Sequence, residues 1–246
     1  MAIRNIKLTI AYDGSGYHGW QIQPGQKTIQ GVLGEAIRGL TGCEIQVTGA
    51  SRTDAGVSAL GQVGIFQIDS PIPTTNMAKA ITDRLPEQIA VTEAVEAAKG
   101  FDVIGSVKSK LYRYTIFTGP VRPVLEIKHC WHLGRKTDIT AMNKAAKRLI
   151  GKKDFKSFAS AADKRETSVR TIFRCEAKAE DDGVYIDVEG DGFLYNMVRN
   201  IVGTLVEAGL GRIEPAKIKD ILEAKDRTAA GPIAPPQGLC LMWIKY

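Results

Sequence analysis

The sequence is poor in cysteine and histidine and lacks long apolar runs, which excludes several classes of protein. Its four cysteines are scattered along 246 residues with no CxxC pair, which argues against a zinc ribbon or a disulfide framework and favours a reducing compartment. No apolar run approaches the ~18 residues of a membrane span, and no low-complexity tract is present. We therefore expect a soluble, untargeted protein of the cytoplasm.

Motifs for metals and nucleotides are also missing. His129, Cys130 and His132 lie close together, but no further Cys/His group is available to complete a zinc site. The stretch DGSGYHGW at 13–20 matches neither GxGxxG nor GxxxxGK[ST] and predicts a turn with an aromatic contact surface. A nucleotide-binding or metal-dependent hydrolase is therefore disfavoured, and we expect no metal and no cofactor.

Composition and charge are those of a globular protein with a mild basic excess. The chain is 44% hydrophobic and 24% charged, and its 33 Lys and Arg against 27 Asp and Glu give a net charge of +6. Such an excess suits a polyanionic partner without requiring one. A length of 246 residues allows one large domain or two modest ones.

Apolar spacing in the first half predicts both strands and helices. Alternating apolar residues at 6–12 predict a strand, and apolar residues at helical spacing over 29–40 predict a helix with Thr28 as N-cap and Gly42 after its end. The other elements predicted here are strands at 44–48 and 62–68, a loop at 49–56, and a helix marked by Met77, Ile81 and Leu85 that ends near Pro86.

The second half mixes the two element types again. Apolar spacing over 142–150 predicts a helix that begins at Asp138 or Thr140, and the runs 169–180 and 184–189 predict strands around an Asp181-Asp182-Gly183 turn. The remaining predicted elements are a buried helix at 193–208, a shorter one at 215–224 opened by Pro215, and a terminal strand at 240–246.

Neither half shows the alternating strand–helix run of a parallel sheet, so the predicted fold class is α+β with a largely antiparallel sheet. We expect two domains, 1–105 and 106–246, although no Pro/Gly-rich linker marks the boundary.

The most informative candidate site is the stretch GASRTDAGV at 49–57. Its Asp54 lies in a small-residue loop between two predicted strands, where a carboxylate can face a ligand, and Arg52 is two positions away. The same residues fit an Asx-turn in which Asp54 accepts a hydrogen bond from Gly56. Spacing alone favours the turn.

The stretch KSKLYRYTI at 108–116 interleaves cations with aromatic residues at strand spacing. Because aromatic rings stack on bases while Lys and Arg meet phosphates, such a strand can line an RNA groove. A half-exposed edge strand with aromatic cross-strand pairs fits equally well.

A third candidate is FLYNMVRNIVG at 193–203. Phe193, Met197, Val198 and Ile201 give an apolar helical face, and Arg199 lies within this run, where a buried guanidinium needs a partner. An arginine at the helix edge whose charged end reaches solvent is the ordinary alternative.

Short motifs run along almost the whole chain: AYDG at 11–14, GWQ at 19–21, TIQ at 28–30, RTDAGV at 52–57, YRY at 112–114, VRTI at 169–172, MVRNIVG at 197–203 and APPQGL at 234–239. Together and in this order they resemble the TruA family of tRNA pseudouridine synthases. The sequence departs from the family pattern at Ser51, where glycine is usual, at Ser58, where histidine is common, and at Asp102, where histidine often follows the phenylalanine.

The resemblance implies an isomerase that converts uridine to pseudouridine at positions 38, 39 and 40 of the tRNA anticodon stem-loop. It implies a homodimer and the pseudouridine synthase fold, with two similar α+β halves flanking a basic cleft. Asp54 would be the catalytic carboxylate, which either attacks the ribose C1′ as the nucleophile or acts as a base at C2′. Tyr112 would pack against the flipped uracil, Arg52 would help hold the nucleotide, and Arg199 would keep Asp54 charged.

This chemistry breaks an N-glycosidic bond and rejoins uracil through C5, so it needs neither a redox cofactor nor an activated phosphate. The competing interpretation is a non-catalytic RNA-binding module that uses the same basic surface. The enzyme and the binding module would both bind tRNA with strong salt dependence. Only the enzyme would convert uridine to pseudouridine, so a measurement of turnover distinguishes them.

Overall fold

The computed structural model describes residues 3–181 and 183–246 of the chain. The strands are β1 (Arg4–Tyr12), β2 (Thr48–Gly49), β3 (Ser58–Ile68), β4 (Ile89–Glu96), β5 (Ser109–Phe117), β6 (Trp131–His132), β7 (Gly151–Asp154), β8 (Val169–Glu180), β9 (Gly183–Gly190) and β10 (Leu239–Lys245). The α-helices are α1 (Ile29–Thr41), α2 (Thr74–Thr82), α3 (Ile139–Lys147), α4 (Met197–Gly209) and α5 (Ile218–Ala224). In this part of the chain, no helix is both long and apolar enough to cross a membrane.

The chain divides into two compact units. One contains the residues up to Lys108 together with Leu241–Tyr246, and the other is Ser109–Cys240. Each combines helices with strands that pair almost entirely in antiparallel fashion, which confirms the predicted α+β class. The assignment of 1–105 and 106–246 to two domains stays a prediction.

The first unit is organised around β1. This strand pairs antiparallel with both β3 and β4, and the strand order is β4-β1-β3-β10. The apolar residues that alternate along β1, Ile6, Leu8, Ile10 and Tyr12, are all buried, so the predicted strand is confirmed. Strand β4 was not predicted from the sequence.

Helix α1 has the predicted caps. The hydroxyl of Thr28 accepts a hydrogen bond from the Gly31 N–H at 3.3 Å, and Gly42 adopts the left-handed conformation at φ 72°. Helix α2 ends at Thr82 rather than near Pro86, because the following residues form turns in which the Leu85 N–H donates to the Thr82 carbonyl.

The strand predicted at 44–48 is wrong apart from its last residue. Only Thr48 and Gly49 pair, with β3. Val47 is fully buried, and its carbonyl accepts a hydrogen bond at 2.8 Å from the side-chain amide of Gln30 in α1. A helix side chain thus satisfies the backbone group that a partner strand would otherwise satisfy.

The second unit has the strand order β5-β9-β8-β7, with antiparallel neighbours throughout, while β6 pairs parallel with the end of β5. The predicted strands at 169–180 and 184–189 are confirmed as β8 and β9. Asp182, in the turn predicted between them, lies outside the described residues. The edge-strand interpretation of 108–116 is wrong, because β5 has neighbours on both sides: β9 pairs with it along its length, and β10, whose first two residues belong to this unit, follows it on the other side in the sheet order.

The helices of the second unit differ from prediction mainly at their first residues. Helix α3 is N-capped by Asp138, whose carboxylate accepts from the Ala141 N–H at 3.0 Å. Helix α4 begins at Met197 instead of Phe193, because Asn196 has a left-handed backbone at φ 62° that interrupts the helical conformation. Helix α5 follows a single 3-10 turn that Pro215 opens, as predicted.

Candidate active site

The Asp54 loop, residues 50–57, connects β2 to β3 in the first unit. Thr53, immediately before Asp54, is buried; its carbonyl accepts from the Trp20 N–H at 3.1 Å and its hydroxyl bonds to the Tyr12 hydroxyl at 2.8 Å. Asp54 itself is half-exposed. The backbone on the N-terminal side of Asp54 is therefore fixed, while the residue itself is partly exposed.

A tight turn fixes the other side of Asp54. The Val57 N–H donates to the Asp54 carbonyl at 3.1 Å, and Gly56 takes a positive φ of 79° that glycine adopts without strain. The Gly56 N–H donates to the carbonyl of Tyr17 at 3.3 Å. The predicted Asx-turn is wrong. It requires the Gly56 N–H to donate to the Asp54 carboxylate, whereas this N–H donates to the Tyr17 carbonyl.

The segment at 13–20 packs directly on the Asp54 loop. A Cβ on Gly14 would overlap the Val57 carbonyl, and one on Gly19 would lie 2.6 Å from the Thr53 oxygen. Trp20 is buried, with its ring 6.2 Å from that of Tyr12. The predicted turn is present, but Tyr17 and Trp20 are buried and do not form a contact surface. In the first unit the segment supports the backbone around Asp54.

Gln62, which was not singled out in the sequence, also holds the Asp54 loop. Its amide is fully buried and donates to the Ser51 carbonyl at 2.7 Å, while the Ser51 N–H donates back to the Gln62 oxygen at 3.3 Å. A glutamine within the otherwise apolar stretch 59–66 of β3 was the available signal, because a buried amide must find hydrogen-bond partners.

The three departures from the family pattern occupy defined positions. The Ser51 backbone makes the bonds to Gln62. The Ser58 hydroxyl accepts from the Gly14 N–H at 3.0 Å, so this side chain ties the 13–20 segment to β3. The carboxylate of Asp102 accepts from the N–H groups of Gly105 and Ile104, both at 2.9 Å, and these bonds lower its pKa.

In the second unit, Tyr112 lies on β5 opposite Val188 of β9 and is buried. The ring of Phe193 packs edge-on against it, with 5.4 Å between centroids and an interplanar angle of 88°. Sequence spacing placed Phe193 on the α4 helix, whereas the structure shows it in the preceding loop, where it supports the tyrosine ring.

Lys110 lies on the same face of β5 as Tyr112, two residues earlier. Burial lowers the pKa of this lysine to about 8, and the nearby positive charge of Arg165 acts in the same direction. Lys110 therefore loses its proton more readily than an ordinary surface lysine. The spacing of apolar residues in the sequence gives no sign of this property.

Arg199 lies in the first turn of α4 and is held by the chain segment that follows α5. Its Nε–H donates to the Ala234 carbonyl at 2.8 Å, and its guanidinium donates to the Asn196 side-chain oxygen at 3.0 Å. The hydroxyl of Tyr114 donates to the neighbouring Pro235 carbonyl at 2.7 Å. The motif at 234–239 thus contacts both α4 and β5 through its backbone.

The four residues predicted to form the site therefore divide between the two units. Arg52 and Asp54 share one loop of the first unit, with Arg52 exposed. Tyr112 and Arg199 belong to the second unit. On β5, two residues after Tyr112, burial raises the pKa of the Tyr114 hydroxyl, and the positive charge of Arg199 partly opposes this shift. Within the described residues, no group of three or more His, Cys, Asp or Glu side chains is arranged to hold a metal ion.

Comparison with known proteins identifies the family. A family model described as tRNA pseudouridine synthase matches residues 8–104 and 145–246. The chain belongs to the tRNA pseudouridine synthase family. Proteins named tRNA pseudouridine synthase A from Caldicellulosiruptor saccharolyticus, Caldicellulosiruptor bescii and Acetivibrio thermocellus are 42%, 43% and 43% identical to it over 244 residues. Each alignment covers 99% of this chain and 100% of the relative.

Membership of the tRNA pseudouridine synthase family confirms the resemblance inferred from the motifs. The two matched stretches include Arg52, Asp54 and Arg199. Tyr112 lies in the interval between them, although the alignments with the full-length relatives span nearly the whole chain. The individual roles of these four residues stay predictions.

Proposed function

We propose that this protein isomerises uridine to pseudouridine at positions 38, 39 and 40 of the anticodon stem-loop of tRNA, and that Asp54 is its nucleophilic carboxylate. The observation that carries the proposal is the Asp54 loop. Asp54 is half-exposed and lies in a loop that contacts with Trp20, Tyr12 and Tyr17 hold on both sides of it. The names of the full-length relatives supply the substrate class.

The reaction conserves all atoms of the nucleotide. The N1–C1′ bond breaks, the uracil turns, a C5–C1′ bond forms, and the proton that C5 loses is balanced by one that N1 gains. Asp54 begins this sequence at the ribose, by attack on C1′ or by taking a proton from C2′. A carboxylate preorganised beside the sugar is sufficient for either step.

The other candidate residues act on the same nucleotide in this proposal. Tyr112 packs against the flipped uracil, supported by the edge of the Phe193 ring. Arg52, exposed in the Asp54 loop, holds the nucleotide, and Arg199 keeps the Asp54 carboxylate ionised. We propose further that the enzyme works as a homodimer in the cytoplasm and uses no metal or cofactor.

The replacement Asp54→Asn tests the assignment of the nucleophile. The amide keeps the shape of the carboxylate but cannot act as nucleophile or base. Pseudouridine in a tRNA transcript, mapped and quantified after incubation, should fall to background while tRNA affinity and unfolding free energy stay near the parent values.

Asp83→Asn provides the matched control, because Asp83 is a surface carboxylate whose partner is Lys79, at 2.6 Å. This variant should turn over at the parent rate. Residual turnover by Asp54→Asn above that of a reaction without enzyme would remove Asp54 from its assigned role.

A further inference from the structure

A groove of about 620 Å³ lies in the second unit between α3 and the turn at Pro215–Lys217. None of the residues that we assign to the reaction contributes to its lining. Apolar residues form part of the wall, three cations on α3 and just beyond its end form another part, and Asp138 at the start of α3 completes the lining. The apolar residues are Ala141, Pro215 and Ala216, and the cations are Lys144, Lys147 and Arg148.

The three cations share one face of the chain because they follow the spacing i, i+3 and i+4. The opposite face of α3 carries Met142 and its apolar neighbours, which are fully buried. All three cations are exposed, and none has an acidic partner within the described residues. Their charge is therefore available to a ligand in the groove.

Lysines on the neighbouring helix α5 and the turn before it are arranged differently. Lys217 pairs with Asp220 at 3.1 Å, and Lys219 with Glu223 at 3.6 Å. Carboxylates thus accompany Lys217 and Lys219, whereas Lys144, Lys147 and Arg148 have none within the described residues. The groove side of this part of the second unit therefore carries the cations whose charge is not offset by a neighbouring carboxylate.

The acidic residue of the lining does not neutralise these cations. Asp138 is the N-cap of α3 and accepts a hydrogen bond from the Ala141 N–H at 3.0 Å. It lies at the opposite end of the helix from Lys147. An alternative role for Lys144 and Lys147 is to offset the helix dipole in the last turn of α3. That role does not account for the concave surface or for Arg148, which lies beyond the end of the helix.

We propose that this groove is a second RNA-binding site, in which Lys144, Lys147 and Arg148 hold backbone phosphates of the tRNA. The inference rests on tRNA being the substrate. Phosphate oxygens are the acceptors that such cations bind, and the apolar wall of Ala141, Pro215 and Ala216 suits a ribose or base face beside the phosphates. The groove thus contributes to tRNA affinity without taking part in isomerisation.

The test compares the triple variant Lys144→Gln, Lys147→Gln and Arg148→Gln with the double variant Lys217→Gln and Lys219→Gln. Dissociation constants for a tRNA transcript are measured from low to moderate salt, together with turnover at saturating tRNA. Each phosphate contact contributes about 0.7–0.9 to the slope of log affinity against log salt. The triple variant should therefore lose about two to three units of slope and about tenfold or more in affinity near 0.1 M salt.

The double variant should bind within about twofold of the parent protein, because its lysines are already paired. Turnover at saturating tRNA should be unchanged in both variants. The comparison of dissociation constants does not depend on which residue is the nucleophile, so an error in the assignment of Asp54 would not alter it. Parent-like affinity and slope in the triple variant would overturn the proposal, as would equal losses in the two variants. Binding to phosphatidylserine vesicles that depends on the three cations, with no effect on tRNA, would assign the groove to a membrane surface instead.

Discussion

At the scale of single residues, Tyr112 combines two properties that a substitution can separate. Its ring lies buried on β5 against the edge of Phe193, and its hydroxyl is a proton donor and acceptor. The ring suits stacking on a base, while the hydroxyl suits proton transfer as the uracil is detached and rejoined.

Tyr112→Phe should therefore keep tRNA affinity and slow isomerisation by at least about tenfold, which corresponds to roughly 1.4 kcal/mol of barrier. Single-turnover rates and tRNA dissociation constants measured on the same preparation check this expectation. A parent rate in the variant would reduce Tyr112 to a stacking platform, and a large loss of affinity would show that the hydroxyl holds the tRNA.

At the scale of elements, the 13–20 segment determines the position of the Asp54 loop through close backbone contact. Gly14 lies where any Cβ would overlap the Val57 carbonyl, whereas a Cβ on Gly16, two residues on, has open space around it. The two glycines offer a matched pair of substitutions within one turn.

Gly14→Ala should lower the free energy of unfolding by about 1–3 kcal/mol, because the added methyl group forces the Asp54 loop away. It should lower turnover as well, since displacement of a reacting group by ~1 Å can cost about 10²-fold. Gly16→Ala should stay within about 0.5 kcal/mol of the parent protein. Urea unfolding and initial rates with tRNA measure both effects, and similar values for the two variants would refute the packing argument.

Elements whose determinants are local were predicted well. The strand β1 follows from its alternating apolar residues, and α1 follows from Thr28, Gly42 and the periodicity between them. Elements that depend on distant contacts were predicted less well. The predicted strand at 44–48 is mostly loop, because the Gln30 side chain donates a hydrogen bond to the Val47 carbonyl. The first residue of α4 was missed because it depends on the left-handed backbone of Asn196.

At the scale of the whole molecule, the net charge of +6 favours a polyanionic substrate. Lys and Arg that contact phosphates displace condensed counterions, so tRNA affinity should fall steeply with salt, with a slope of about −0.7 to −0.9 per phosphate contacted. Dissociation constants at several salt concentrations provide the measurement. Affinity that is unchanged between low and high salt would contradict electrostatic binding.

Motifs, caps and periodicity are properties of short segments, so the family, the α+β class and the candidate residues Arg52, Asp54, Tyr112 and Arg199 can be inferred from the sequence. How the Asp54 loop is held, and that Lys144, Lys147 and Arg148 line one groove with Pro215, becomes visible only in the folded chain. Both features depend on packing between segments far apart in the chain, for which spacing along the sequence carries no signal.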